Sequence, residues 1–117
     1  MLKDTYKIDV NPTKKVVEIA VGQLSNQDMA VQFINEYKNK IDAIQASEYT
    51  LEIDCKAMTV VSADLASDLE NVFRMYASSG FKMVRFLTAE SAVVRMQFNR
   101  LGRTAGLKNI EIIQGGN

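Results

Sequence analysis

From Tyr6 to Val10 the chain alternates, with Tyr6, Ile8 and Val10 on one phase and Lys7 and Asp9 on the other. That period of two is the pattern of a half-buried strand. Asn11-Pro12-Thr13-Lys14 supplies turn residues, and Pro12 cannot continue a ladder. Val17, Ile19 and Val21 alternate again, which predicts an antiparallel hairpin, and Gly22 ends its second strand. The period then changes. Ser25-Asn26-Gln27-Asp28 has the form of a helix start with Ser25 as cap. Ala30, Phe33, Ile34, Tyr37, Ile41 and Ile44 follow at helical spacing as far as Ala46, opposite a face of Glu36, Lys38, Asn39, Lys40 and Asp42.

Tyr49, Leu51, Ile53 and Cys55 alternate with Thr50, Glu52 and Asp54 in a third strand. A second helix is expected from Ser62, with Leu65, Leu69, Val72, Phe73 and Tyr76 as its apolar stripe and Ser78-Ser79-Gly80 as its stop. Phe81 to Leu87 is a short apolar run of strand type. Glu90 to Ala105 predicts a third helix on Val94, Phe98, Leu101 and Ala105, ended by Gly106. Ile110, Ile112 and Ile113 make a last strand, and residues 114–117 are expected to form a flexible tail. The order β-β-α-β-α-β-α-β implies an α/β fold, a single domain over residues 1–117 with a mixed sheet flanked by helices.

Composition narrows the chemistry more than the fold. Lysine plus arginine and aspartate plus glutamate both number 14, so no basic excess favours nucleic acid or an anionic membrane. The 47% hydrophobic content is enough for a packed core without metal or disulfide. Cys55 is the only cysteine, which excludes an internal disulfide and fits a reducing, cytoplasmic setting. The first residues turn polar at once, unlike a signal peptide, and no apolar run is long enough for a membrane helix. Histidine is absent, which removes Ser-His-Asp and Cys-His arrangements and histidine-ligated metals. Neither cofactor nor metal is expected, and the chain reads as no enzyme.

Several stretches in sequence resemble the STAS domain, the fold of bacterial anti-sigma-factor antagonists. They are Val21-Gly22-Gln23-Leu24-Ser25, then Leu51-Glu52-Ile53-Asp54 with Met58-Thr59-Val60-Val61-Ser62-Ala63-Asp64-Leu65, then Gly80-Phe81-Lys82-Met83-Val84, and last Phe98 and Gly106-Leu107 before Ile110. The resemblance runs from about Thr5 to Ile113 and implies a STAS-like fold. In phosphorylatable members the loop before the second helix carries Asp-Ser-Ser/Thr-Gly, and its first serine accepts phosphate from a partner kinase. Here the stretch is Val61-Ser62-Ala63-Asp64, so Ser62 or Ala63 falls on the acceptor position according to register. Ser25 likewise stands where the family usually has aspartate.

Ser62 therefore has two readings, a helix cap before an apolar helix and a phosphoacceptor at a helix start, where Asp64 would repel the added charge. Asp54 and Asp64 could pair for acid–base work or Mg²⁺ binding, against the simpler reading of two solvated carboxylates near strand and helix ends. Cys55 lies on the apolar phase of its strand and is expected to be inert. Met58, Val60 and Val61 either present apolar surface to a partner or extend the third strand into the core. Arg95, Arg100, Arg103 and Lys108 form a solvated face or meet an acidic partner. The resemblance implies a non-catalytic protein–protein interaction module whose surface at Met58, Val60, Val61, Ser62, Ala63, Asp64 and Ser67 docks a kinase-like anti-sigma factor. The alternatives are a scaffold subunit that pairs with itself, as a homo-dimer, or with other STAS-like chains, and a small-ligand or nucleotide-binding domain.

Overall fold

The first two alternating runs pair as β1 (Tyr6–Asn11) and β2 (Val16–Val21), antiparallel, with Ile8 opposite Ile19 and Asp9 opposite Glu18. The link between them is held by the Lys14 N–H, which donates to Asn11 Oδ1 at 3.1 Å, and by Lys15 in the left-handed region at φ 57°. The computed structural model describes residues 6–21, 27–56, 63–88 and 92–114. After the hairpin come α1 (Gln27–Asp42), a single 3-10 turn at Ala46–Glu48, β3 (Thr50–Cys55), α2 (Ala63–Ser79), β4 (Met83–Thr88), α3 (Ala92–Ala105) and β5 (Ile110–Gln114). The sheet runs β1-β2-β3-β4-β5, and every pair from β2 onward is parallel. The fold is thus α/β, with a five-stranded mixed sheet and three helices.

Three boundaries differ from the apolar pattern, and one is the fourth strand, which starts at Met83 rather than Phe81 and takes in Thr88. The pattern runs on to Ala46, but α1 closes at Asp42, where the Ala43 and Ile44 N–H groups bond to the carbonyls three residues back. The chain then turns through Ala46–Glu48, and Ile44 and Ala46 still reach the core from outside the helix. At the other end β5 takes in Gln114, opposite Thr88, while residues 115–117 lie outside the described residues. So do Ser25 and Ser62, the two expected caps, and Glu90. Gly80 and Gly106 end α2 and α3 with φ of 77° and 91°, a conformation that a side chain would strain.

Strand order decides where the helices go. Each crossover joins neighbouring strands and steps the same way across the sheet, so crossovers of one hand put all the helices on one face. The rings record this. Tyr6, on the inward phase of β1, meets Phe33 of α1 edge-on at 5.3 Å, and Tyr37 follows at 6.3 Å and Tyr76 of α2 at 5.5 Å. Phe73 of α2 lies 4.7 Å from Phe86 of β4 and 5.7 Å from Phe98 of α3. Val17, Ile19, Leu51 and Ile53 fill the floor beneath them. The other sheet face has no helix among the described residues.

A polar clasp ties α1 to the β1 edge. Tyr6 donates its hydroxyl to Glu36 Oε1 at 2.9 Å, while Lys40 Nζ reaches Glu36 at 3.1 Å and the Ile8 carbonyl at 2.8 Å. Lys40 first and Tyr6 second hold the Glu36 carboxyl below its usual range.

Phe73 touches rings from three elements and is 2% exposed. Phe73→Ala is expected to cost about 3–5 kcal/mol, as for large-to-small changes in tight cores. Chemical denaturation checks it, and a loss under about 1 kcal/mol would show that the ring cluster does not hold the helices. Glu36 gives a pH signature. Because its folded pKa is lowered, its stabilisation is present above the unfolded value of 4.5 and is lost as pH falls through the folded value. Glu36→Gln is therefore expected to lower stability slightly at pH 7 and to match the wild type near pH 2–3, as read from urea midpoints. An equal deficit at both pH values would mean that the carboxylate charge contributes nothing.

Candidate functional site

In a parallel sheet each helix starts beyond the carboxyl end of the strand before it, and binding sites of α/β proteins gather there. β3 ends at Cys55 and α2 begins at Ala63, so the start of α2 lies at this end of the sheet. Of the residues expected to dock a partner, Met58, Val60, Val61 and Ser62 lie outside the described residues. Asp64 is in the first turn of α2 with its side chain outside them. Ala63 and Ser67 are exposed, four residues apart and so on one helix face. Glu70 and Arg74 continue that face and form an i,i+4 ion pair. The stripe is polar, small at its start and free of bulky apolar side chains.

The groups near the strand ends have structural duties. Asp54 Oδ1 accepts the Lys56 N–H at 3.0 Å, and Lys56 Nζ lies 3.7 Å from the other oxygen, so the carboxylate shapes the turn out of β3. Cys55 is buried as its strand phase predicts. Burial pushes its thiol pKa far up, and the Asp54 charge adds to the shift, which suppresses the thiolate that nucleophilic chemistry needs. Desolvation likewise raises Tyr76 well above the normal phenol range and Tyr37 to about 12, although the Ser79 hydroxyl 2.7 Å from Tyr37 offsets part of its shift. Among the described residues no group of three or more acidic or cysteine side chains could hold a metal ion. No helix among them is long and apolar enough to cross a membrane.

The uncovered sheet face holds a feature that reading single strands misses. Register places Asp9, Glu18, Glu52, Arg85 and Glu111 side by side in one row across all the strands. Arg85 bonds to Glu111 Oε1 at 2.9 Å through Nε and to Glu52 Oε2 at 3.2 Å through Nη1, and these carboxylates, Glu111 foremost, raise its pKa. At the β1 end Asp9, Glu18 and Glu52 stand directly opposite one another, an arrangement that repels. Lys7, 3.4 Å from Asp9, offsets part of it. A depression of about 210 Å³ lies over this end, lined by Lys7, Asp9, Glu18, Glu52 and Asp54 among others. The outward charges are visible in the alternation of each strand, but their alignment exists only once the register is known.

The basic residues of α3 take separate positions. Arg100, Arg103 and Lys108 are exposed, whereas Arg95 is half-buried. No family model matches the chain, and no curated protein or solved structure matches it significantly.

Burial of Cys55 gives a direct check. In the native protein the thiol is expected to resist a disulfide reagent at pH 8 and to react within seconds in denaturant, followed by absorbance of the released thiolate. Rapid native labelling would contradict the closed core under β3.

Proposed function

We propose that the protein is a non-catalytic interaction module of the anti-sigma-factor-antagonist type, which sequesters a kinase-like anti-sigma factor against the start of α2. The observation that carries this reading is the exposed Ala63–Ser67 face at the carboxyl end of the parallel strands, the position where the STAS resemblance puts its partner surface. The suppressed reactivity of Cys55 and the buried phenols support binding over chemistry. Affinity arises from shape against a polar helix face, with Asp64 adding negative charge near the helix start. Ser62, just before α2, is the cap of that helix or its phosphoacceptor.

Titration calorimetry against the kinase-like anti-sigma factor encoded in the same genome tests the reading. A saturable complex is expected, weakened at least tenfold by Ser67→Arg. That position is exposed, so the change should leave the unfolding midpoint nearly unmoved. Absence of a complex, or wild-type affinity retained in both Ser67→Arg and Ala63→Arg, would remove α2 as the docking surface. Adding ATP to the mixture separates the two readings of Ser62, since a phosphoacceptor gains a phosphate and a cap does not.

A further inference from the structure

The two edges of the sheet are not alike. At β1 the Lys40 amine occupies the Ile8 carbonyl and α1 closes over the strand. At β5 the Val84 N–H donates to the Asn109 carbonyl at 2.8 Å, and Val84 stands opposite Ile110. In a parallel ladder this register turns the backbone groups of residues 109, 111 and 113 toward β4 and those of Ile110 and Ile112 toward the free edge. The Thr88 hydroxyl, which faces the Ile113 carbonyl at 3.5 Å, agrees with that assignment. Among the described residues no side chain bonds to the outward groups of Ile110 or Ile112. An edge of this kind is a template for a further strand.

Beside the edge lies a groove of about 380 Å³ between α3 and β5, lined by Ala92, Arg95, Met96, Asn99, Ile110 and Ile112. Ala92, Arg95, Met96 and Asn99 stand at i, i+3, i+4 and i+7, one face of α3 turned to the strand. On the helix side Met96 is 65% exposed, an apolar side chain open to a ligand between the polar Arg95 and Asn99. Within the groove Arg95 Nε is buried with no hydrogen-bond partner among the described residues, which leaves a donor for an acceptor from outside. Its charge selects the occupant. From Ala92 to Ala105 the helix carries Arg95, Arg100 and Arg103 and no acidic residue, and exposed Lys108 follows. A second copy docked on this edge about a two-fold axis would bring two such helices together and oppose arginine to arginine.

We propose that the α3–β5 groove binds a short acidic segment of another protein in extended form, added to the sheet as a sixth strand beside β5. Its backbone pairs with Ile110 and Ile112, as in recognition by strand addition. Its apolar side chains, on the phase that faces α3, lie against Met96, Ile110 and Ile112. A carboxylate on the same phase bonds to Arg95, the planar guanidinium being suited to that partner. Arg100 and Arg103 steer the approach. This surface is separate from the Ala63–Ser67 face, and its existence does not depend on that reading.

The probe is a blocked, fluorescein-labelled octapeptide with valine and glutamate taking turns along one strand phase and threonine on the other, compared with versions carrying glutamine or lysine in place of glutamate. By fluorescence anisotropy the glutamate peptide is expected to bind at least tenfold more tightly than the glutamine peptide, more weakly as salt rises, and the lysine peptide not at all. Arg95→Glu should abolish the preference. Ile112→Pro should weaken binding at least tenfold, because it removes an outward N–H and no bond to β4. In amide NMR of the wild type, Ile110 and Ile112 should gain protection from exchange. Binding that ignores glutamate, the absence of binding, or affinity unchanged in Arg95→Glu overturns the proposal. So does a homo-dimer by sedimentation that protects the same amides in the absence of peptide. If Ile112→Pro does not fold, Met96→Asp takes its place, since a charge repelling the segment on an exposed site leaves the core intact.

Discussion

Phe86 lies near the middle of the sheet, fully buried, with Phe73 of α2 against one side of its ring and Phe98 of α3 perpendicular to it at 5.6 Å. Its position follows from a topological constraint. Strands that succeed one another as neighbours, joined by crossovers of one hand, leave the helices a single face to cover. All the ring contacts therefore gather on that face, and the chain of them from Tyr6 to Phe98 is the seam between the two layers. Aromatic pairs add about 0.5–1.5 kcal/mol each beyond the area that they bury. Against a total stability of about 5–15 kcal/mol, the seam is where the fold is most sensitive to change.

The same constraint leaves the opposite face and the far edge without a layer of their own among the described residues. Outward positions there carry charge, and Arg85 of β4 pairs with Glu52 of β3 on one side and Glu111 of β5 on the other. Solvent reaches these pairs, so each contributes little to stability, about 0–1 kcal/mol. Their effect is on the surface: they keep a face of exposed strands from pairing with another sheet. The Asp9, Glu18 and Glu52 row departs from that economy, since repulsion between opposed carboxylates gains the fold nothing.

Most of the fold was legible because one face of each element is buried. Alternation at Leu51-Ile53-Cys55 and at Val17-Ile19-Val21 named the inward residues, and each is buried. Glycine at positions 80 and 106 marked helix ends because a positive φ there suits no other residue as well. The end of α1 was not legible: Ile44 and Ala46 keep the apolar spacing of the helix although they reach the core from a turn, and periodicity cannot separate the two routes. The charged row and the groove were hidden for a different reason. Both depend on which residue stands beside which across strands, and that is fixed by tertiary register. Of the docking residues expected from the sequence, Ala63 and Ser67 are exposed on one face of α2, and the burial of Cys55 followed from its strand phase.

The two surfaces stand in a definite relation. The α2 face begins at the carboxyl end of the sheet, whereas the α3–β5 groove runs along its side, and the helices between them meet through Phe73 and Phe98. A strand added at β5 would extend the hydrogen-bonded ladder and would touch α3 on the side away from that contact. Coupling between sites requires that a ligand favour one of two arrangements, and the two surfaces share no residue, one lying on α2 and the other on α3 and β5. Partners on these separate surfaces would not exclude each other, with an acidic segment held at the edge while the start of α2 remains accessible. The β5 edge lies beside a helix whose charged residues are all arginine, whereas at β1 Lys40 takes up the Ile8 carbonyl, so a strand added at β5 would leave the start of α2 untouched.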